Sequence, residues 1–467
     1  MSFDLLQQLE ARAAENFSLH ERHLNSPFVK VLKTIGFDRR YVRAEGQYLF
    51  DQQGDRYLDL LSGFGVFALG RNHPTIKRAL HDALEADLPN LVQLDAPLLP
   101  GLLAERLLER IPGQECVFFC NSGTEAVEAA IKMVRAATRK KRILCCEHAF
   151  HGLTLGSLSL NGDPIFRDRF EPLLADVTRV PWNDLAALER ALRAGDVAAF
   201  IVEPVQGKGV NLPAVHGTTS NYLAEAARLC RKHGALFVAD EVQTGLGRTG
   251  RFLAIEHYGV EPDLVLLAKA LSGGFVPVGA VVGKRFIFDK LFDRMERAVV
   301  HGSTFGKNNL AMAAGLASLA VLDEEQLVER AKTRGDNLLR RLGALVSKYE
   351  LLKEVRGQGL MLALEFGPPK SLRLKTAWTL LEAANKGLFC QTVIIPLFKQ
   401  HRILSQVAGH DMCVIKLLPP LCISAEDEDW IVDAFDKVLA QCHELPGAAW
   451  DLATTLTKNT FKAQAGA

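Results

Sequence analysis

The sequence predicts an α/β protein, a mainly parallel sheet covered by helices on both faces, followed by a smaller α+β domain. Three observations predict it. At 467 residues the chain is too long for a single hydrophobic core. From about residue 115, short apolar runs of strand length alternate with amphipathic helical stretches, the pattern of a sheet buried on both sides. After about Leu322 the alternation gives way to a helix-rich texture around an antiparallel-looking segment.

In order along the chain, residues 1–75 read as an arm that also joins the smaller domain: one helix, then a hairpin over Gln47–Asp59 turning at Gln53-Gly54-Asp55. Residues 76–322 read as the large domain. Its strands are expected at Cys116–Cys120, Arg142–Cys146, Ala198–Val202, Leu236–Asp240, Leu264–Leu267 and Val278–Val282. Helices are expected between several of them, as at Thr124–Ala136 and Ser220–His233, where apolar residues recur at three-to-four spacing. Residues 323–467 read as the smaller domain, with a strand pair around Gly359–Glu365 and a closing amphipathic helix at Asp427–Gln441; the tail after Leu445 has no fold signal.

Composition narrows the partners. A formal net charge of +1 offers no basic excess to draw in a nucleic acid or an anionic membrane. No charged-then-apolar leader occupies Met1 to His20, and no apolar run approaches the roughly 18 residues of a spanning helix. The nine cysteines form no CxxC pair, and several sit in apolar runs, which points to buried reduced thiols and a cytoplasmic setting. There is no HExxH and no GxSxG, so zinc-protease and serine-hydrolase readings have no motif, and no metal site is expected.

Ligands of an open parallel sheet gather at the carboxyl ends of its strands, so the residues just past each strand outline a candidate site. After the first strand comes Asn121-Ser122-Gly123-Thr124-Glu125, small and hydroxylated residues opening a helix. That is either a plain helix cap or a place where free backbone N–H groups hold an anion. Phe150 follows the second strand and Glu203 the third. The fourth strand runs from Leu236 straight into Asp240, a carboxylate that needs a positive partner if buried. The next strand leads to Lys269 among small and apolar residues, where lost solvation favours the neutral, nucleophilic amine. Anion cradle, aromatic ring, carboxylate and lysine at successive strand ends together match what pyridoxal 5'-phosphate requires.

The stretch from Asn121 to Leu322 resembles the class-III aminotransferases, which include the ornithine, acetylornithine, 4-aminobutyrate and putrescine enzymes. The motifs are Asn-Ser-Gly-Thr-Glu-Ala at 121, Ala-Phe-His-Gly at 149, Glu-Pro-Val-Gln-Gly at 203, Ala-Asp-Glu-Val-Gln-Thr-Gly at 239, Ala-Lys-Ala-Leu-Ser-Gly-Gly at 268 and His-Gly-Ser-Thr-Phe-Gly at 301. The similarity extends outward to Tyr57-Leu58-Asp59 and to Arg356-Gly357-Gln358-Gly359-Leu360. This resemblance implies fold type I with a seven-stranded sheet. It also implies that Lys269 holds the cofactor covalently and shuttles the proton. Asp240 would keep the pyridine nitrogen protonated, Gln243 would bond the phenolic oxygen, Phe150 would stack on the ring, and Ser122, Gly123 and Thr124 would bind phosphate. Thr304, by the same resemblance, reaches the phosphate of a partner subunit, which implies a homodimer with shared sites.

Three departures bear on substrate. Where relatives acting on α-amino acids carry an arginine three residues before the late Pro-Pro-Leu, this chain has Lys416, which cannot make a two-pronged carboxylate contact. Phe64, flanked by Phe67, aligns with an entrance residue that is tyrosine in ornithine aminotransferase. The usual Gly-Gly-Asn-Pro after the shared threonine reads Gly306-Lys307-Asn308-Asn309. The set favours an amine or aldehyde with an apolar body, exchanging its amino group with a keto acid, with Phe64, Glu203 and Lys416 facing the substrate. Lys416 either pairs with Glu203 or binds a donor carboxylate by one bond. The alternatives are an ornithine- or acetylornithine-type enzyme and a same-fold aminomutase or decarboxylase. A nicotinamide-dependent oxidoreductase is more remote: Gly245 to Gly250 fits GxGxxG but precedes no helix signal.

Overall fold

The computed structural model describes residues 3–444 and 447, apart from 93, 217–219, 385 and 410. Seven strands form the central sheet, in the spatial order Cys116–Cys120, Gly279–Gly283, Leu264–Leu267, Leu236–Asp240, Val197–Val202, Arg142–Cys146 and Val177–Val180. Gly279–Gly283 runs antiparallel to both neighbours, and the remaining adjacent pairs are parallel. Consequently Cys120, Cys146, Val202, Asp240 and Leu267 end at one edge of the sheet.

Side chains alternate between two cores, as a period of two on a doubly covered sheet requires. Phe200, Val202, Phe237, Ala239, Val265 and Leu267 pack into one core. Their strand neighbours Ala199, Ile201, Val238, Leu264 and Leu266 pack into the other, against the helix Gly123–Thr138 through Ala126, Val127, Ala130, Ile131 and Val134. Ser122 starts that helix, its Oγ accepting the Glu125 N–H at 3.3 Å.

A second sheet of four antiparallel strands, Leu352–Gln358, Met361–Phe366, Val414–Leu417 and Gln406–Ala408, lies toward the C-terminus and is followed by the helix Ala425–His443. A third joins the two ends of the chain: the meander Tyr41–Glu45, Tyr48–Asp51, Arg56–Asp59 takes Ile403–Leu404 as a parallel fourth strand. All nine cysteines are free thiols. Among the described residues no helix is long and apolar enough to cross a membrane.

The structure corrects several expected boundaries. The single N-terminal helix is three, Leu5–Ala11, Asn16–His23 and Ser26–Ile35. The last break falls where Asn25 Oδ1 caps the N–H of Phe28 and Pro27 has none to give. The expected helix at Ser220 begins at Tyr222, because Asn221 is its cap and accepts the Ala224 N–H at 2.9 Å. The strand expected from Val278 begins one residue later, after Pro277, and the Gly359 element begins at Met361, since Gly359 and Leu360 form the turn. The GxGxxG segment is a run of turns before a single 3₁₀ turn, so it opens no helix. The tail beyond Leu445 lies outside the described residues apart from Gly447.

The helix Leu327–Gly343 meets the turn of the C-terminal hairpin with almost no clearance. A methyl group on Gly335 would lie 2.1 Å from the Gly359 carbonyl oxygen. Alanine is the better helix former by about 1 kcal/mol, but overpacking against backbone costs about 1–3 kcal/mol or more. Gly335→Ala is therefore expected to lower the melting temperature; an unchanged or higher value would show that the turn yields.

Candidate active site

The sheet edge opens onto a cavity of about 1060 Å³. Ser122, Gly123, Thr124, Phe150, Glu203, Asp240, Gln243 and Lys269 all line it, as do Phe64 and Lys416. One predicted residue does not: Thr304 is exposed on a separate loop. Phe67 does not line it either; its ring lies beneath Arg71, whose guanidinium carbon is 3.8 Å from the ring centre.

Each polar group reaches the cavity through a local reason. Gly123 sits at the helix start, where a methyl would come within 2.7 Å of Val242 Cγ1. The helix N-terminus is thus bare, and its first N–H groups have no partner inside the helix. Thr124 Oγ1 lies 2.7 Å from Thr154 Oγ1 and 2.5 Å from Ser157 Oγ, gathering three hydroxyls beside it. Lys269 follows its strand in a left-handed conformation (φ 44°) that turns the chain into a 3₁₀ turn, Lys269–Ser272.

Asp240 is 4% exposed and held from two sides. His151 Nδ1 donates to its Oδ2 at 2.7 Å, and the Val242 N–H donates to Oδ1 at 3.1 Å. Burial works against a charged His151, but the bond to Asp240 and the charges of Asp240 and Glu203 outweigh it, leaving the imidazole above its ordinary value. Sequence reasoning passed over His151, noting only the aromatic and glycine beside it. The histidine stood at a strand end in plain view, yet nothing in a spacing of 89 residues pairs it with Asp240.

The other groups form one connected chain of hydrogen bonds. Gln243 Nε2 donates to the Phe64 carbonyl at 3.0 Å, and its Oε1 accepts from Lys416 Nζ at 3.3 Å. Lys416 Nζ also donates to the Gly207 carbonyl at 2.7 Å. The Gly207 N–H donates to Glu203 Oε2 at 2.8 Å, and the Phe150 N–H donates to Glu203 Oε1 at 3.0 Å. Of the two alternatives for Lys416, a direct pair with Glu203 is not formed; the two are linked indirectly through Gly207, which donates to Glu203 and accepts from Lys416. Burial raises the Glu203 carboxyl above its ordinary range, against the lowering by His151 and the two N–H donors. Burial also lowers the Lys269 ammonium, opposed by Asp240 and Glu203. Lys416 falls to about 7, through burial first and then the charge of Lys269.

This arrangement fits a flat, phosphorylated, aldehyde-bearing ring. A bare helix start with the Thr124 hydroxyl at the cavity wall suits the phosphate. A desolvated lysine suits the aldehyde, a clamped carboxylate a ring nitrogen, and an aromatic face the ring itself.

Comparison with known proteins agrees. The family model "Aminotransferase class-III" matches residues 34–439. The aminotransferase PigE of Serratia sp. (strain ATCC 39006) is 35% identical over 458 residues, covering 91% of this chain and 53% of that protein. The chain thus spans about half the length of this relative. The solved ornithine aminotransferase of Toxoplasma gondii ME49 shares 32% identity at a TM-score of 0.77, over 86% of this chain and 90% of its own. A PLP-bound amine transaminase from an uncultivated Pseudomonas species shares 28% identity at a TM-score of 0.74, over 86% and 95%. The seven-stranded sheet is that of fold type I. The chain belongs to the class-III aminotransferases, a family dependent on pyridoxal phosphate, the group this cavity fits.

Proposed function

We propose that the protein transfers an amino group from a primary amine with an apolar body to a keto acid in two alternating half-reactions. The observation that carries this reading is the cavity wall. Phe64, Val66, Ile165, Phe166, Phe275 and Val276 line it, and among the described lining residues there is no arginine. The cation where relatives of the amino-acid type place theirs, Lys416, is a lysine that already donates to two neutral oxygens and loses its proton near pH 7. A carboxylate entering here meets no free guanidinium.

When bound, pyridoxal phosphate supplies the carbonyl carbon and the electron-withdrawing ring. Ser122, Gly123 and Thr124 would hold its phosphate, Phe150 would lie against its ring and Gln243 has a second N–H for its phenolic oxygen. Lys269 Nζ would hold the cofactor and, once released, would take up the proton of the amine-bearing carbon; burial lowers its ammonium from the ordinary value, which favours that base role. Asp240, fixed by His151, would place negative charge at the ring nitrogen. Glu203 and Phe64, which line the same cavity, would face the substrate.

We further assign a homodimer with shared sites. Thr304 is exposed and stands outside its own cavity, and its loop carries Met295 and Val299, 91% and 89% exposed, with Phe305 also exposed. A second copy would cover that apolar loop and receive Thr304. The free thiols fit a reducing, cytoplasmic compartment.

Three outcomes test the reading. Lys269→Ala should abolish transamination, as neither the covalent attachment nor the proton shuttle survives; substantial turnover would remove Lys269 from its role. Asp240→Asn keeps size but loses charge, and should lower turnover at least about a hundredfold, with cofactor affinity reduced less. The third concerns pH. A protonated Lys416 is needed to attract a carboxylate, and it loses its proton as pH rises through about 7. The ratio of kcat/KM for an ω-amino acid over an alkyl amine should fall by roughly tenfold between pH 6 and pH 9, the worth of one charged hydrogen bond. Lys269 titrates for both substrates and cancels in the ratio. A wild type that prefers ornithine or another α-amino acid throughout would overturn the amine reading.

A further inference from the structure

Of the described residues lining the cavity, two have a buried polar atom with no hydrogen-bond partner: His151 Nε2 and Gln406 Nε2. His151 already spends its other nitrogen on Asp240. Gln406 stands on the edge strand Gln406–Ala408, and the antiparallel register sets it directly across from Lys416. Opposed residues on such strands bring their Cα atoms to about 4.5–5.5 Å. Val407, Ala408 and Met412 of the same hairpin complete an apolar surround.

An amide with an unmet donor in an apolar wall is an uncommon arrangement, since buried donors are nearly always satisfied. What would satisfy it follows from charge. A carboxylate would have to give up its hydration for one neutral amide, one ammonium already shared between Gly207 and Gln243, and the Lys208 ammonium already paired with Asp163. A second cation would face Lys416 and Lys269. A neutral carbonyl oxygen needs a single N–H, which the unpartnered Gln406 Nε2 has to give.

We infer that Gln406 is a specificity-determining residue that donates its amide N–H to a neutral carbonyl oxygen on the body of the amine substrate. The substrate class is then primary amines carrying a ketone, amide or ester carbonyl away from the reacting nitrogen. The assignment rests on the amine reading above and narrows it.

The test uses the full-length holoenzyme and three amines of equal length: an n-alkyl amine, an N-acyl diamine and an ω-amino acid. Wild type should favour the N-acyl diamine over the alkyl amine by at least about tenfold in kcat/KM, the discrimination one hydrogen bond to a substrate oxygen provides. In Gln406→Met, which keeps an unbranched side chain of similar length and loses the donor, that ratio should fall about tenfold, toward unity. Should the methionine variant fail to fold, Gln406→Glu keeps the shape, turns the donor into an acceptor, and must lower the same ratio. An unchanged ratio, or an equal loss for both amines, overturns the role of Gln406 while leaving the amine reading intact. Preference of the wild type for the ω-amino acid over both others defeats the two together.

Discussion

The structure is organised around the burial of charge. Glu203, Asp240, Lys269 and Lys416 share one largely apolar cavity, with His151 behind Asp240. A lone buried ion costs several kcal/mol even after the surroundings relax, so each of these groups needs a fixed answer. Asp240 has the imidazole and a backbone N–H, Glu203 has two backbone N–H groups, and Lys416 has two neutral oxygens. The lysines answer differently again, by holding their protons less tightly. What makes the cavity expensive to build also makes it chemically useful: desolvated amines and clamped carboxylates are the tools of proton transfer.

That network also ties distant parts of the chain together. Phe64 comes from the N-terminal segment, Gln243 and Gly207 from loops at the edge of the central sheet, and Lys416 from the C-terminal sheet, yet they are links in one hydrogen-bonded series. A second tie runs nearby. Arg248, 1% exposed, donates to the carbonyls of Leu360 and Pro419, pinning the C-terminal hairpin turn and the end of the Val414–Leu417 strand to the loop after Asp240. Its guanidinium is lowered to about 9 by burial, and its field adds to the pressure on Lys416 to shed a proton. Position and protonation of the substrate-side lysine are therefore set by the same contacts that join the sheets.

Much of this was legible in the sequence, for a reason that also marks the boundary of what was not. Strands buried on both faces read as short apolar runs, so Cys116–Cys120, Leu236–Asp240 and Leu264–Leu267 were placed correctly, and a strand-end rule then pointed to Asp240 and Lys269. Local punctuation was weaker. The N-terminal segment reads as one helix, and the break between its last two helices rests on local detail, the Asn25 cap and Pro27. Contacts across the chain were not legible. The His151–Asp240 bond, the turning of Phe67 under Arg71, and the Gly207 link that stands in for a Lys416–Glu203 pair each depend on where two segments meet. Gln406 had no signal at all, because a glutamine on a short edge strand is ordinary until its ladder partner is known to be Lys416.

The choice of lysine over arginine at 416 follows from the same accounting of partners. An arginine stays charged at any working pH, and the carboxylate of this network, Glu203, already accepts one N–H on each oxygen, from Phe150 and Gly207. A guanidinium there would leave a permanent positive charge in an apolar wall, which the substrate itself would have to neutralise with a carboxylate. Lysine removes that demand. Its amine needs only the Gly207 carbonyl and the Gln243 amide oxygen, and near pH 7 it can release the proton and leave the wall uncharged. A neutral lysine still offers N–H groups where an apolar residue would offer none, so the oxygens of Gly207 and Gln243 stay satisfied without a counter-ion. The protonation state of one side chain thus sets whether this wall of the cavity is charged or neutral.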